Sequence, residues 1–327
     1  MRAITLLFFL FLFQIPEGQA QVEETIEPEY IRTIQFKGTS AQSRLPIIEL
    51  GQKLQLSFDD IIGNEADYFY TIAHFNFDWT PSDLSKGEYL DGFDDVRIET
   101  YENSFNTLQL YSNYKLSIPN RETRAIKKSG NYLLRIFNDD GEIVFSRKFM
   151  VLERVLSVEV EIKRSRIIKN IDQQQVVQFK INSPNLLLIN PKQNVKTLVL
   201  QNNNLKTAIT NLKPLYTIGS ELIYKYDQEA AFWGGNEFLF FDNKDLRSST
   251  NGVRYVELNE LYENFLFTNI DRSTRPYTYN PDINGNFQVR NLYASQNQNI
   301  EADYVLMHFN LQHYGSLGDK EIHIYGN

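Results

Sequence analysis

Side chains that could take part in catalysis are few in this sequence of 327 residues. It has no cysteine, and it contains neither a Gly-x-Ser-x-Gly nucleophile elbow nor a phosphate-binding P-loop. Its four histidines are His74, His308, His313 and His323. The pair at 308 and 313 is five residues apart, which places the two rings on opposite faces of a strand. They are therefore better interpreted as ordinary strand histidines than as ligands of a metal ion.

Carboxylates cluster at three places where pairs of acids could act on a glycosidic bond or bind calcium. The clusters are Asp59-Asp60, Asp94-Asp95 and the group Asp139, Asp140 and Glu142. Asp59 and Asp60 follow a strand pattern, where acids end the strand and accept hydrogen bonds from a turn. The stretch from 91 to 95 lacks the ligand spacing of a known calcium loop. We therefore predict no catalytic residue, no metal site and no cofactor. A glycoside hydrolase would need two carboxylates facing each other across a cleft.

Two basic runs interrupt the acidic background. They comprise Arg121, Arg124, Lys127 and Lys128, and further on Lys163, Arg164, Arg166 and Lys169. Polar residues flank each run, so solvated loops are a better interpretation than a docking patch. The formal net charge is −8. An acidic chain of this kind is a poor partner for nucleic acid or for an anionic membrane.

One aromatic and acidic segment, residues 66–95, has no simple structural explanation. Phe75, Phe77 and Trp79 alternate along a predicted strand and would share one face of it. The segment could be a core strand with the tryptophan packed beneath a loop. It could instead be a rim that binds a partner, with Trp79, Tyr89 and Phe93 as aromatic anchors among acids.

The elements that would position these residues are almost all strands. Residues 156–162 and 177–181 alternate apolar and polar side chains, as half-buried strands do. Residues 108–118 keep the same period. Only residues 80–90 resemble a helix, with Thr80 as a possible cap and Pro81 at the first helical position.

Turn signals separate these strands and favour β-sandwiches. Asp140-Gly141 and Asn284-Gly285 each stand between strand patterns, as in hairpins, and Asn251-Gly252 opens another strand. The sequence Ser129-Gly130-Asn131-Tyr132-Leu133-Leu134 has the spacing of the tyrosine corner of immunoglobulin-like domains. We therefore predict an all-β protein of tandem immunoglobulin-like antiparallel sandwiches.

The predicted order along the chain is a leader followed by three units. Residues 1–20 have one cation, an apolar run of about ten residues and small residues before position 21, as in a signal peptide. That run is short of the about 20 residues a membrane span needs, and no later stretch is apolar enough to cross a bilayer. We place the first sandwich at 21–153 and the second at 154–270. Residues 271–327 are expected to form a third β domain that is incomplete at Asn327.

Several segments together resemble the plug protein family of the type IX secretion system of the Bacteroidota. They are residues 30–38, 45–61, 66–95 and 129–151, with a later one at 233–249. The resemblance implies a non-enzymatic periplasmic protein that binds the outer-membrane translocon β-barrel and seals its periplasmic opening. Its runner-up is a carbohydrate-binding or cell-surface adhesion module, since sandwiches host both functions. A row of exposed, coplanar aromatics on one sheet face would favour that alternative.

The leader makes the first testable prediction. N-terminal sequencing of the exported protein should begin at Gln21, because small residues occupy the −3 and −1 positions that signal peptidase requires. A mature protein that keeps Phe8 to Phe13 and stays in the membrane fraction would contradict it.

Overall fold

The structure is a computed structural model that describes residues 22–39, 45–235, 237–272, 279–313, 318 and 321–326. The predicted leader lies outside these residues. Of the described residues, 41% are in strands and 5% in helices, which confirms the all-β prediction.

The described residues of the first sandwich form eleven strands and one short helix. In chain order these are β1 (Ile31–Gly38), β2 (Ile47–Glu49), β3 (Leu54–Asp60), β4 (Phe69–Phe75), α1 (Lys86–Tyr89), β5 (Leu90–Gly92), β6 (Val96–Arg97), β7 (Thr100–Asn103), β8 (Ser112–Ile118), β9 (Thr123–Ile126), β10 (Gly130–Phe137) and β11 (Ile143–Leu152).

Two facing sheets enclose the core of this domain. One has the strand order β1-β3-β8-β7 and the other β2-β11-β10-β4-β6, while β5 and β9 form a separate ribbon. All pairs are antiparallel except β2 with β11. In β3, Leu54, Leu56 and Phe58 are buried while the residues between them are not, because successive side chains point to opposite faces of a sheet.

Aromatic rings join the two sheets at the centre of this core. Phe58 on β3 is fully buried, and its ring lies 5.2 Å from Phe145 on β11 of the opposite sheet. It also stacks on Tyr114 of β8 at 5.2 Å and meets Tyr68 edge-on at 5.3 Å. Edge-to-face and stacked pairs at these distances add to the stability gained from burial.

The hairpin of β10 and β11 forms where the sequence predicts it. Gly141 has a φ of +78°, a conformation that glycine adopts without strain. Tyr132 is fully buried, and its hydroxyl donates a 2.7 Å hydrogen bond to the carbonyl of Lys128, four residues upstream. The predicted tyrosine corner is therefore present. Leu134 is buried in the same core.

The rest of the chain contains ten further strands within the described residues, with three short helical turns. They are β12 (Ser157–Arg164), a 3-10 turn (Ile168–Asn170), β13 (Gln174–Asn182), α2 (Pro191–Asn194), β14 (Leu198–Gln201), β15 (Asn204–Thr210), β16 (Tyr216–Ile218), β17 (Glu221–Tyr224), β18 (Ala231–Trp233), β19 (Val253–Leu258), β20 (Tyr262–Leu266), α3 (Gln298–Glu301) and β21 (Val305–His308).

These strands make three sheets. Strands β12-β13-β17-β16 lie side by side, with β18 also paired to β13, and the β14-β15 hairpin packs on their core. Strands β19, β20 and β21 form the third sheet. Because β20 precedes residue 270 and β21 follows it, this sheet joins residues on both sides of the predicted boundary there. The predicted boundary at 153–154 falls between β11 and β12.

Two alternating segments fold differently from their pattern. Strand β8 starts only at Ser112, and the loop before it leaves Leu108 and Leu110 exposed. That loop is held instead by Asp303, whose carboxylate accepts hydrogen bonds from the backbone N–H groups of Leu108 and Gln109. The 156–162 pattern does form β12, but its apolar side chains are exposed rather than half-buried.

Two local predictions from turn and cap signals are wrong. Asn284-Gly285 forms a turn, but the described residues on either side of it are not strands, so no hairpin surrounds it. The helix begins after Ser85 rather than at Thr80. The Thr80 hydroxyl is already bonded to Asp78, and Pro81 makes an isolated bridge to Phe75.

Residues 297–304 attach the later part of the chain to the first sandwich. The Tyr304 hydroxyl donates a 2.7 Å hydrogen bond to Asp59 on β3 and lies 2.6 Å from the hydroxyl of Thr33 on β1. The Tyr111 hydroxyl donates in turn to the carbonyl of Ala302 at 2.7 Å.

The second prediction concerns the core of the first sandwich. Leu134→Ala should lower the free energy of unfolding by about 2–5 kcal/mol, because it leaves a cavity among buried side chains. Ile143→Ala, at the exposed end of the same hairpin, is the control and should change it little. Equal denaturant midpoints for the two variants would show that Leu134 does not face the core.

Candidate partner-binding surface

Strand β4 ends in a tight turn immediately before Trp79. The backbone N–H of Asn76 donates to the carbonyl of Thr80 at 2.8 Å, and that of Trp79 donates to Asn76 at 3.0 Å. Trp79 itself adopts a φ of +64°, which is rare for a bulky side chain. The chain therefore reverses over four residues. The prediction that Phe75, Phe77 and Trp79 alternate along one strand face is wrong.

The segment after this turn folds over the free edge of β4. Strand β6 pairs only with Phe69 and Tyr70, so the rest of the edge has no strand beside it. The Asp94 carboxylate accepts the backbone N–H of Ile72 at 2.6 Å, and the Tyr89 hydroxyl donates to the Ile72 carbonyl at 3.2 Å. Side chains thus satisfy edge groups that another chain could otherwise pair with.

The short helix α1 holds the side chains of Tyr89 and Asp94 in place. Ser85 and Glu88 form a capping box around α1, with the Glu88 carboxylate 2.7 Å from both the backbone nitrogen and the hydroxyl of Ser85. These hydrogen bonds hold the pKa of Glu88 below its usual range. Lys86 pairs with Asp94 at 2.6 Å, and the Asp94 side chain is only 4% exposed.

The three predicted anchors do not share one exposed surface. Tyr89 is 5% exposed and belongs to the core, so it cannot serve as a surface anchor. Trp79 is half-buried, with the Lys148 ammonium 4.5 Å above its ring. Phe93 is 72% exposed. The sequence pattern could not separate Tyr89 from Phe93, because aromatic residues in an acidic loop suit both core and surface.

Phe93 is an exposed ring on a fixed backbone. Its N–H donates to the carbonyl of Glu122 at 2.9 Å, and its carbonyl accepts the Thr123 hydroxyl at 2.5 Å. Beside it in the β5-β9 ribbon, Asp91 and Arg124 form an ion pair at 2.8 Å. An apolar side chain held rigidly among charges has the composition of a non-obligate interface.

A cleft of about 540 Å³ opens beside β4 on the other side of the turn. Its apolar wall includes Val22, Phe75 and Leu84, and its polar groups include Arg135 and the pair formed by His74 and Ser82. The His74 Nδ1 lies 2.7 Å from the Ser82 hydroxyl, which accounts for this histidine without a metal.

The paired acids at the end of β3 have structural partners. Asp60 is fully buried and accepts hydrogen bonds from the Tyr68 hydroxyl at 2.8 Å and the Ile62 N–H at 2.9 Å. Asp59 accepts hydrogen bonds from Asn113 and Tyr304, and burial raises the pKa of its carboxyl. The turn bond to Ile62 is the role that the sequence predicted for this cluster.

The other predicted clusters are also engaged in ordinary contacts. In the first basic run, Arg124 pairs with Asp91 and Lys127 donates to the carbonyl of Gly87. In the second, Lys163 pairs with Glu161 and Arg166 with Asp227. Within the described residues, no group of three or more His, Cys, Asp or Glu side chains is placed to hold a metal ion.

Among the described residues of the first sandwich, the exposed aromatics do not form the row that sugar binding would favour. The most exposed rings of the first sandwich, Phe77, Phe93 and Phe105, lie outside its strands. In the third sheet, Tyr255, Phe265 and His308 do form a row across three strands, with centroids 4.4 and 4.0 Å apart. Phe265, the middle ring, is stacked on both faces and is therefore not free to stack on a sugar.

Comparisons with known proteins match the first sandwich to a family and most of the chain to a solved structure. Residues 31–153 match the family described as type 9 secretion system plug protein, first domain. This range begins with β1 and ends one residue after β11. The crystal structure of a hypothetical protein from Parabacteroides merdae is similar, with a TM-score of 0.84 and 30% sequence identity over 90% of this chain and 75% of that one. No curated protein matches. Among the described residues, no helix is both long and apolar enough to cross a membrane.

The third prediction tests the cover over the β4 edge. Asp94→Ala should lower the free energy of unfolding by about 1–3 kcal/mol, since it leaves the buried N–H of Ile72 without an acceptor. The control is Asp91→Ala, which removes only an exposed ion pair and should cost at most about 1 kcal/mol. Amide hydrogen exchange at Ile72 should accelerate in the first variant alone. Unchanged exchange there would mean that Asp94 does not protect the edge.

Proposed function

The chain belongs to the type 9 secretion system plug family, and from this we propose that it binds the outer-membrane translocon barrel and seals its periplasmic opening. The observation that carries the proposal is the family match across the entire first sandwich, including the segment that covers β4. The family is a structural component of secretion rather than an enzyme family.

A pore wide enough for folded proteins creates the need for such a seal. Large β-barrels enclose an aqueous channel, and an open one would let periplasmic contents escape. The plug must also leave when a substrate arrives, so it has to remain folded without its partner. The first sandwich meets this requirement, because its own two sheets bury its core.

The surface of the first sandwich suits a reversible contact. The β4 edge is closed by Asp94 and Tyr89, which limits uncontrolled pairing with other strands. Phe93 offers one exposed aromatic anchor, with charged pairs around it. Anchors of this kind contribute most of the binding energy of non-obligate complexes, and charged residues form the rim. We assign the docking contact to Phe93, with Trp79 as a secondary contact.

The location follows from the same proposal. A plug that reaches the periplasmic mouth of the barrel must be exported across the inner membrane, which agrees with the leader predicted at residues 1–20. It would act there without catalysis, cofactor or nucleic acid.

The fourth prediction is that loss of the protein makes the outer membrane leaky. A deletion strain with an intact translocon should take up a large antibiotic that the parent excludes, and secretion should continue in part. An adhesin or a carbohydrate-binding protein would instead lose attachment or binding with permeability unchanged. Permeability equal to that of the parent would overturn the proposed function.

The docking contact can be tested in the same assay. Phe93→Ala should reproduce the leak while the purified variant keeps the parent melting temperature, because the ring is 72% exposed. Phe105→Ala is the matched control, since that ring is 64% exposed on another loop of the same domain. A leak from both variants, or from neither, would remove Phe93 as the anchor.

A further inference from the structure

Strand β12 is an open edge of the second domain. It is eight residues long and pairs along its whole length with β13, from Ser157 opposite Asn182 to Arg164 opposite Gln175. Within the described part of the chain, no backbone hydrogen bond reaches its other edge. An unpaired edge of this length is a template for another strand.

One face of β12 is apolar and uncovered. Val158, Val160 and Ile162 are 55%, 60% and 65% exposed. Residues directly opposite each other in an antiparallel pair share a face. Val158 is opposite Ile181 and Val160 is opposite Phe179, both of which are buried in the core of this domain. The apolar face of β12 is therefore a lateral extension of that core that nothing in the described chain covers.

The other face of β12 carries charges of both signs. Glu159, Glu161 and Lys163 lie on it; Lys163 is 2.9 Å from Glu161, and Lys180 of β13 is 3.2 Å from Glu159. Since acids precede the base along the strand, a second copy running antiparallel presents its base opposite an acid of the first. The charge pattern is thus complementary to itself.

We propose that β12 pairs antiparallel with β12 of a second copy of this chain, about a two-fold axis that passes through Glu161. In this register Val160 lies opposite Ile162 of the other copy, and Glu159 lies opposite Lys163, each pair occurring twice. Such an isologous contact closes both edges at once and continues the sheet across the dimer. The proposal does not depend on the plug function.

Neighbouring registers are less favourable for physical reasons. Moving the axis to Val160 sets Glu159 opposite Glu161 twice, and like charges directly opposite each other are destabilising. Moving it to Ile162 shortens the paired region. Moving it by half a residue puts all three apolar side chains opposite charged or polar ones, because the side-chain period of a strand is two, whereas the chosen axis does so only for Val158, which lies opposite Arg164. At the chosen axis Glu161 faces its own copy, but Lys163 lies diagonally across from it in each strand.

The absence of cysteine makes a crosslinking test specific. In the full exported chain, Glu161→Cys places two thiols opposite each other on the axis, so mild oxidation should give a disulfide-linked dimer. Glu159→Cys is the matched control. Its thiol faces Lys163 of the other copy, so it should remain largely monomeric under the same conditions. Equal crosslinking of both variants, or none of Glu161→Cys, would overturn the proposed pairing.

Sedimentation velocity of the unmodified chain across a concentration series provides the second readout. We expect a monomer–dimer equilibrium that dissociates on dilution, since one strand pair buries less than the about 800 Å² per partner of a standard interface. Val160→Lys with Ile162→Lys should give a folded monomer at all concentrations. Ile168→Lys, which changes an 89% exposed residue outside the strand, should leave the dimer unchanged. A parent chain that is monomeric throughout would overturn the proposal.

Discussion

The contact of Phe58 with Phe145 is the interaction on which the first sandwich depends. It joins one sheet to the other without a covalent link, in a chain that has no cysteine to form one. Domains outside the cytoplasm often rely on disulfides. The first sandwich relies on buried aromatic area and on the fit between rings. The aromatic centre also explains why Tyr68 and Tyr114 are buried, with their hydroxyls bonded to Asp60 and to the Ala66 carbonyl. Its tyrosines bring polar groups into the core, and each is paired there.

The loop that follows β4 combines a structural role with a candidate binding role. Its inner residues, Tyr89 and Asp94, complete the hydrogen bonding of a strand edge. Its outer residue, Phe93, stands in solvent on a backbone that is tied down on both sides. A loop with an ordered interior can present one side chain in a fixed direction, which lowers the entropy lost when a partner binds. The same short segment thus closes the strand edge and holds the candidate anchor, Phe93.

Local sequence predicted what local chemistry decides. Asp140-Gly141 predicted the hairpin, because the geometry of the turn is set by these two residues. Gly130 and Tyr132 predicted the tyrosine corner, because a hydrogen bond to a residue four positions upstream defines it. Contacts distant in sequence decided the rest. Asp303 binds the loop formed by residues 108–110, which lies about two hundred positions earlier in the chain. No pattern in that loop predicts this contact. Periodicity found β12 but could not show that its apolar face lacks a cover.

The same limit applied to the candidate site. Residue type and spacing selected the segment 66–95, which contains β4, α1 and β5. Residue type and spacing could not tell which aromatic faces inward. Tyr89 and Phe93 lie on either side of β5, and the strand that pairs with β5, β9, lies about thirty residues further along the chain. The buried Tyr89 donates its hydroxyl to the carbonyl of Ile72 on β4, a contact that the pattern of its own loop does not specify.

The hydrogen bond from Tyr304 to Asp59 connects the attachment of residues 297–304 with protonation of the Asp59 carboxyl. Burial raises the pKa of the Asp59 carboxyl above the 3.8 usual for this side chain, so the folded protein binds this proton more tightly than the unfolded chain does. The contribution of this group to stability is therefore greatest below pH 3.8 and declines as the pH rises through the folded pKa. Most surface carboxylates with resolved shifts, such as Glu27 and Glu301, have the opposite sign. Acid therefore acts differently on the two carboxylates of this attachment. Protonation of Asp59 relieves a buried charge but weakens the acceptor of the Tyr304 hydroxyl, whereas Glu301 keeps its bonds to the backbone N–H groups of residues 295–297 until the pH falls toward about 2.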